Sequence, residues 1–192
     1  MMRSFGKRAK ITPLLTLVVL LWTGAVHAET TDFALVVTNN RSLDDGRADL
    51  RYADDDGAKW AGLFREWIPA PNVQLLTRFD ASSKRLYPQF ATQALPPTRK
   101  VLLEAVEKIR TAVKKAKAAG QRTRVYVVLA GHGDVERGKG FVELEDQRFS
   151  ALDLDQHGQL GGLTDNESTV GGVLAGHDLG EVRVGLANRL VE

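Results

Sequence analysis

The order of apolar segments along the chain is the feature that most restricts its fold. Short runs rich in β-branched residues at 33–38, 72–77 and 124–130 predict buried strands. Two amphipathic segments, at 54–67 and 98–120, predict helices that lie between these strands. Strand, helix, strand, helix, strand is the order of a parallel sheet with crossover helices, so the sequence predicts the α/β class.

Both predicted helices carry signals for their ends and for their buried faces. Aspartates open the first helix, and Thr98 is the expected N-cap of the second, which Gly120 closes. The residues expected to form the buried face of the first helix are Trp60, Leu63, Phe64 and Trp67. Those expected for the second are Val101, Leu102, Ala105, Val106, Ile109 and Val113.

Residues 1–28 have the pattern of a secretory signal peptide. Four basic residues precede an apolar stretch at 11–26, and small side chains at Val26 and Ala28 suit a cut before Glu29. An uncleaved membrane anchor is the alternative. Export to the periplasm or the medium is therefore the expected localisation, with no membrane contact after cleavage.

The charge that remains after this cut is slightly acidic. The leader holds four of the 26 basic residues and none of the 24 acidic ones, which leaves a net charge of −2. Nucleic-acid binding needs clustered Lys and Arg on one face, so no nucleic-acid partner is predicted. With 43% apolar and 26% charged residues, the chain has the composition of a folded domain, and its sequence points to no particular oligomeric state.

The chain contains no cysteine, which excludes disulfides, cysteine metal sites and cysteine nucleophiles. A possible calcium loop at 153–164 has Asp153, Asp155 and His157 at ligand positions but Thr164 where the bidentate Glu belongs. A plain acidic loop is the preferred interpretation, and no metal or cofactor is predicted. Solvated loop charges are the preferred interpretation, with a substrate pocket as the alternative, for Arg47, Arg51 and the aspartates at 44, 45, 49 and 54–56.

The segment "VYVVLAGHGDV" ends a predicted strand with His132 between Gly131 and Gly133. The glycines should leave the imidazole exposed at the carboxyl end of the strand, where ligands of parallel sheets bind. A histidine there can be a general base, a metal ligand or part of an ordinary loop. A base beside a free backbone N–H is half of an acyl-transfer site, whose other half is a nucleophile.

The segments "FALVVTNN", "LRYADDDGAKWAGLF", "VYVVLAGHGD" and "GFVELED" together resemble the first half of the caspase-like cysteine peptidases, most closely the bacterial branch with metacaspase-like features. The resemblance spans roughly residues 32–152. It implies a three-layer α/β/α sandwich with a mostly parallel sheet, and a peptide or protein substrate. It also implies that His132 is the general base, that the N–H of Gly133 serves the oxyanion hole, and that Asp56 is the structural acid of the first helix.

The chain departs from this family at the nucleophile. The family's cysteine follows its histidine by about 50 residues, and this sequence has none there or elsewhere. Ser168 and Thr169 are poor substitutes because a hydroxyl is hard to deprotonate. We therefore expect an inactive, truncated or frame-shifted form that lacks the fourth strand. An exported pseudo-peptidase that binds peptides is the alternative. The predicted divisions are a signal peptide at 1–28, the caspase-like portion at 29–152, and a divergent glycine-rich tail at 153–192.

Overall fold

A computed structural model describes residues 29–136, 139–150, 153 and 168–175. The chain belongs to the α/β class, as predicted. Its strands are β1 (Thr30–Asn39), β2 (Val73–Leu76), β3 (Arg122–Gly131), β4 (Gly133–Glu136), β5 (Lys139–Glu143), β6 (Arg148–Ser150) and β7 (Ser168–Ala175). Its helices are α1 (Ala53–Phe64), α2 (Ala81–Leu86), α3 (Pro88–Ala91) and α4 (Arg99–Ala118), with a 3-10 turn at Ala70–Asn72.

Four of the strands form a parallel sheet in the order β2-β1-β3-β7, and β4, β5 and β6 form a separate antiparallel sheet. β1 alternates its side chains between two cores. Phe33, Leu35 and Val37 pack with α4 on one face, whereas Ala34 and Val36 pack with α1 on the other. Because β1 is covered on both faces, it reads as a continuous apolar run, as buried parallel strands do.

The ends of α4 confirm the predicted signals. The Thr98 hydroxyl accepts a hydrogen bond from the Val101 N–H, and Gly120 follows the helix with a φ of 77°. A further cap comes from far along the chain, because both carboxylate oxygens of Asp146 accept the Arg99 N–H, at 3.0 and 3.2 Å. The hairpin that contains Asp146 is thereby fastened to the start of α4.

The buried face of α1 differs from the predicted one. Leu63 and Trp67 are 43% and 49% exposed, and α1 ends at Phe64 rather than at Trp67. Phe64 is buried as predicted, and Trp60 packs partly buried against the same core. Beside them the helix turns its small residues Gly57, Ala58 and Ala61 toward the sheet, which lets helix and strand approach closely.

Strand β7 corrects the expectation that this chain lacks a fourth strand. Residues 168–175, within the predicted tail, pair with β3 in parallel, with Ser168 opposite Thr123 and Ala175 opposite Ala130. Two adjacent glycines interrupt any side-chain period in this segment, yet main-chain pairing needs no such period. The rest of that tail, apart from Asp153, lies outside the described residues, and the domain division stays a prediction.

No described helix has the length and apolar character needed to cross a membrane. The predicted signal peptide, residues 1–28, lies outside the described residues, and export therefore also stays a prediction.

Two glycines of α1 provide a matched test of its contact with the sheet. A Cβ at Gly57 would lie 2.6 Å from the Thr38 hydroxyl oxygen, whereas a Cβ at Gly62 would meet only the Phe90 ring at 3.8 Å. We expect Gly57→Ala to lower the free energy of unfolding by about 1–3 kcal/mol because of overpacking. Gly62→Ala should raise it by about 0.5–1 kcal/mol because alanine favours helices. Urea unfolding measures both, and equal effects would contradict the described approach.

Candidate functional site

The candidate site lies where the carboxyl ends of β1 and β3 meet. The two strands pair over ten residues, so that Asn39 at the end of β1 lies opposite Gly131 at the end of β3. A Cβ at residue 131 would stand 2.9 Å from the Asn39 carbonyl oxygen, which explains the need for glycine there. His132 follows directly, at the sheet edge where parallel α/β proteins bind their ligands.

His132 is buried, which corrects the prediction that its imidazole stands exposed. It is 6% exposed, and its Nε2 atom has no hydrogen-bond partner among the described residues. The burial arises because β4 begins at once, at Gly133, and pairs with β5, whose last residue donates its N–H to the His132 carbonyl at 2.8 Å. The imidazole of a potential base is thus held within the protein, with one nitrogen unused.

The glycines around His132 belong to strands rather than to a tight turn. Gly131 ends β3, and Gly133 begins β4 opposite Val142. Among the described glycines only Gly120 has a left-handed φ, so neither neighbour of His132 is required for that conformation. The oxyanion role of Gly133 stays a prediction. The place of Gly133 directly after His132 is compatible with that role.

Glu143, which no sequence pattern pointed to, is a buried acid whose backbone N–H bonds the His132 carbonyl. Its Oε2 atom accepts the Leu43 N–H at 2.9 Å and the Ser42 hydroxyl at 3.3 Å. Its Oε1 atom makes no hydrogen bond and faces Arg47 Nη1 at 3.9 Å and Arg148 Nε at 3.8 Å. In the sequence, Glu143 is the acid that ends the apolar segment "GFVE", and nothing in that segment indicates its partners.

Asn39 joins the same elements from the β1 side. Its side-chain amide donates to the Glu143 carbonyl at 2.9 Å and to the Arg41 carbonyl at 2.8 Å, and its Oδ1 accepts the Arg41 N–H. An asparagine can donate and accept at once, which suits it to hold a strand end against a neighbouring loop. The strand-end loops at this edge are therefore tied by side chains.

A second buried carboxylate, Asp54, ties the loops that follow β1 and β2. It is fully buried and accepts Asn40 Nδ2 at 2.8 Å and the Asp80 N–H at 3.0 Å. The resemblance assigned the structural role to Asp56, but Asp56 is half-exposed and pairs with Lys59 on the helix surface. The structural acid at the start of α1 is thus Asp54, two residues earlier than predicted.

The arginines and aspartates after β1 are mostly exposed loop charges, as the preferred interpretation held. Asp44 accepts the Gly46 N–H and Asp49 accepts the Ser42 N–H, both within this loop.

Two charged side chains outside this loop also have fixed partners. Arg78 makes a two-point ion pair with Glu145, and that partner raises the pKa of the Arg78 guanidinium. Asp80 caps α2, and the N–H groups of Ser83 and Ser82 lower the pKa of its carboxyl.

The alternative nucleophiles lie at the wrong end of the sheet. Ser168 and Thr169 pair with Thr123 and Arg124 at the amino end of β3. His132 follows the carboxyl end of β3. The rise per residue of a strand puts it roughly 25 Å from these two residues. The backbone pairing therefore places these two residues far from His132.

The described ranges contain no group of three His, Asp or Glu side chains that could hold a metal ion. Most of the candidate calcium loop, 153–164, lies outside the described residues. Its first member, Asp153, accepts the N–H and the hydroxyl of Ser150, at 2.6 and 2.7 Å. This carboxylate thus serves a local turn at the end of β6.

The two acids at the start of α1 allow a paired test of the site's framework. Asp54→Ala removes the acceptor of three partly buried donors, the Asn40 amide and the N–H groups of Asp55 and Asp80, so it should lower the free energy of unfolding by about 3 kcal/mol. Asp56→Ala removes only a surface ion pair and should change it by less than about 0.5 kcal/mol. Chemical denaturation of both variants checks this. A larger effect at Asp56 than at Asp54 would restore the assignment made from the sequence.

The comparisons with known proteins leave the family unassigned. No family model matches the chain, and no curated protein matches it significantly. The caspase-like resemblance therefore rests on the four sequence segments, which form β1, α1, β3 and the β5 hairpin. The site thus consists of a buried histidine at the shared carboxyl end of parallel strands and of a buried acid, Glu143, whose backbone bonds that of the histidine.

Proposed function

We propose that this chain is a catalytically silent relative of the caspase-like cysteine endopeptidases. The observation that carries the proposal is His132, which is buried at the end of β3 with Nε2 unpaired among the described residues, in a chain without cysteine. On this proposal His132 corresponds to the base of a cysteine peptidase, and the chain supplies no cysteine for it to activate. On this proposal the chain descends from an enzyme that cleaves peptide bonds and does not itself cleave them.

The chemistry explains why the remaining residues do not suffice. Covalent peptide hydrolysis needs a thiolate or an activated hydroxyl that attacks the scissile carbonyl. His132 can accept a proton but supplies no such nucleophile, and Ser168 and Thr169 begin β7 at the opposite end of the sheet. Without an attack, the N–H of Gly133 has no tetrahedral oxyanion to stabilise.

The layering of the fold supports the caspase-like assignment without singling it out. Helices α1 and α4 pack on opposite faces of a parallel sheet whose central strands are β1 and β3. This arrangement suits a three-layer α/β/α sandwich. The antiparallel β4-β5-β6 unit directly after His132 corresponds to the fourth segment of the resemblance, "GFVELED".

The position of β7 favours a second proposed function, peptide binding by a pseudo-peptidase. β7 is the last strand of the sheet order, and within the described ranges no strand pairs with its outer side. An extended peptide can add to such an edge through main-chain hydrogen bonds. β7 also ends level with β3, because Ala175 lies opposite Ala130, so a peptide on this edge would run toward His132. The proposed location is outside the cytoplasm, after signal-peptide removal.

Peptide hydrolysis provides the first test. Fluorogenic peptides with Arg, Lys or Asp before the cleavable bond should give no turnover above that of the His132→Ala variant, because no nucleophile is present. An active cysteine peptidase run in parallel shows that each substrate can be cut. Turnover that disappears in His132→Ala would overturn the proposal of a silent enzyme.

Peptide binding provides the second test. A monodisperse preparation should bind fluorescein-labelled extended peptides with a Kd of about 1–100 µM, as expected of an edge-strand site that makes few side-chain anchors. Fluorescence anisotropy measures the affinity. The same peptides with alternate backbone N-methylation are the matched control, because they lack the donors that strand addition requires. Equal affinity for both sets would rule out strand addition.

A further inference from the structure

Glu143 is a buried ionisable residue of the candidate site. The proposed function gives its side chain no chemical role. Its carboxylate is 1% exposed. Burying a carboxylate is costly unless hydrogen bonds and opposite charges compensate, and an apolar side chain of similar volume would avoid that cost. The cost is met here by two donors on Oε2 and by two arginines near Oε1.

The side-chain bonds of Glu143 all reach the loop after β1. Leu43 donates its backbone N–H and Ser42 its hydroxyl, and the Arg47 guanidinium lies 3.9 Å from Oε1. These three residues come from one short segment of the loop that begins where Asn39 ends β1. The carboxylate therefore holds the loop by two hydrogen bonds, and the Leu43 N–H has its partner a hundred residues away along the chain.

The backbone of Glu143 holds the two strand ends themselves. Its N–H donates to the His132 carbonyl at 2.8 Å, and its carbonyl accepts the Asn39 amide at 2.9 Å. One residue thus connects the end of β1, the following loop and His132. Arg47 and Arg148 stand beyond hydrogen-bond distance from Oε1, so their charges compensate the carboxylate without fixing its orientation.

We propose that Glu143 is a positioning residue, which holds the loop at 41–47 beside His132 and thereby shapes the peptide site. The inference rests on the proposed peptide-binding function for its consequence, but its geometric part can be tested alone. Glu143 touches neither the peptide nor the reacting atoms. It acts through the Leu43 amide and through the His132 main chain.

Two substitutions separate geometry from charge. Glu143→Leu fills the space but removes both acceptors, so the Leu43 amide should exchange with solvent at least about tenfold faster. Glu143→Gln keeps one oxygen that can accept the Leu43 N–H and should retain most of its protection. The Thr77 amide, which donates to the Leu95 backbone carbonyl outside this loop, is the internal reference and should not change.

The matched control is Glu145→Gln, on the same hairpin. Glu145 is also largely buried and ion-paired, but its partner is Arg78 rather than the loop after β1. Glu143→Leu should shift the His132 ring resonances and, on the proposed function, should weaken peptide binding by about tenfold, because the released loop no longer shapes the site. Glu145→Gln should leave both unchanged, and Glu143→Gln should restore binding.

The outcomes distinguish the two levels of the inference. If the unsubstituted protein binds no peptide, the binding function fails, while Leu43 exchange and the His132 resonances still decide the role of Glu143. The positioning role is overturned if Glu143→Leu changes neither the Leu43 exchange rate nor the His132 resonances. It is also overturned if Glu143→Leu and Glu145→Gln have the same effect on peptide affinity. If Glu143→Leu does not fold, Glu143→Asp gives the same test, because its shorter side chain draws the carboxylate away from Leu43.

Discussion

The ten-residue parallel pairing of β1 with β3 is the constraint on which the rest of the structure depends. It runs from Thr30 opposite Arg122 to Asn39 opposite Gly131, so both strands end at the same level. Near its amino end, Arg124 and Asp32 form a two-point ion pair at 2.7 Å. At its carboxyl end the backbones approach so closely that only glycine fits at 131. This alignment brings His132 to the loop that follows β1.

Side chains with buried polar groups complete what the strand pairing begins. Asn39, Asp54 and Glu143 satisfy backbone donors and acceptors at the ends of β1, β2 and β3. Loop backbone at this edge cannot join the sheet ladder, and buried N–H and C=O groups without partners are costly. Each of these three side chains therefore replaces a missing main-chain partner. Together they form a framework that fixes the loops at this edge of the sheet and does not depend on any nucleophile.

That framework bears directly on the proposed function. On the proposed function the site keeps its shape although the chain has no thiol, and Glu143 is one of the side chains that hold this shape. Glu143 keeps two hydrogen bonds to the loop after β1 and two charged neighbours. Strand β7 pairs with β3 and extends the sheet beyond it, on the side away from β1. Both features fit a protein that presents a shaped site and an extended strand edge to a peptide, in the manner of a pseudo-peptidase.

Local patterns in the sequence determined the α/β class, the order of β1, α1, β2, α4 and β3, the Thr98 cap, the Gly120 terminus and the place of His132 at a strand end. Each depends on residues close together in the chain, where periodicity and capping chemistry operate. Tertiary structure alone decided that His132 is buried, that β7 joins β3, that α1 packs through Gly57 and Ala61, and that Asp54 and Glu143 carry the structural charges. These outcomes depend on partners brought together from distant segments, such as Leu43 and Glu143, which are 100 residues apart. No local pattern encodes such a pairing, because its free energy appears only once the strands have aligned.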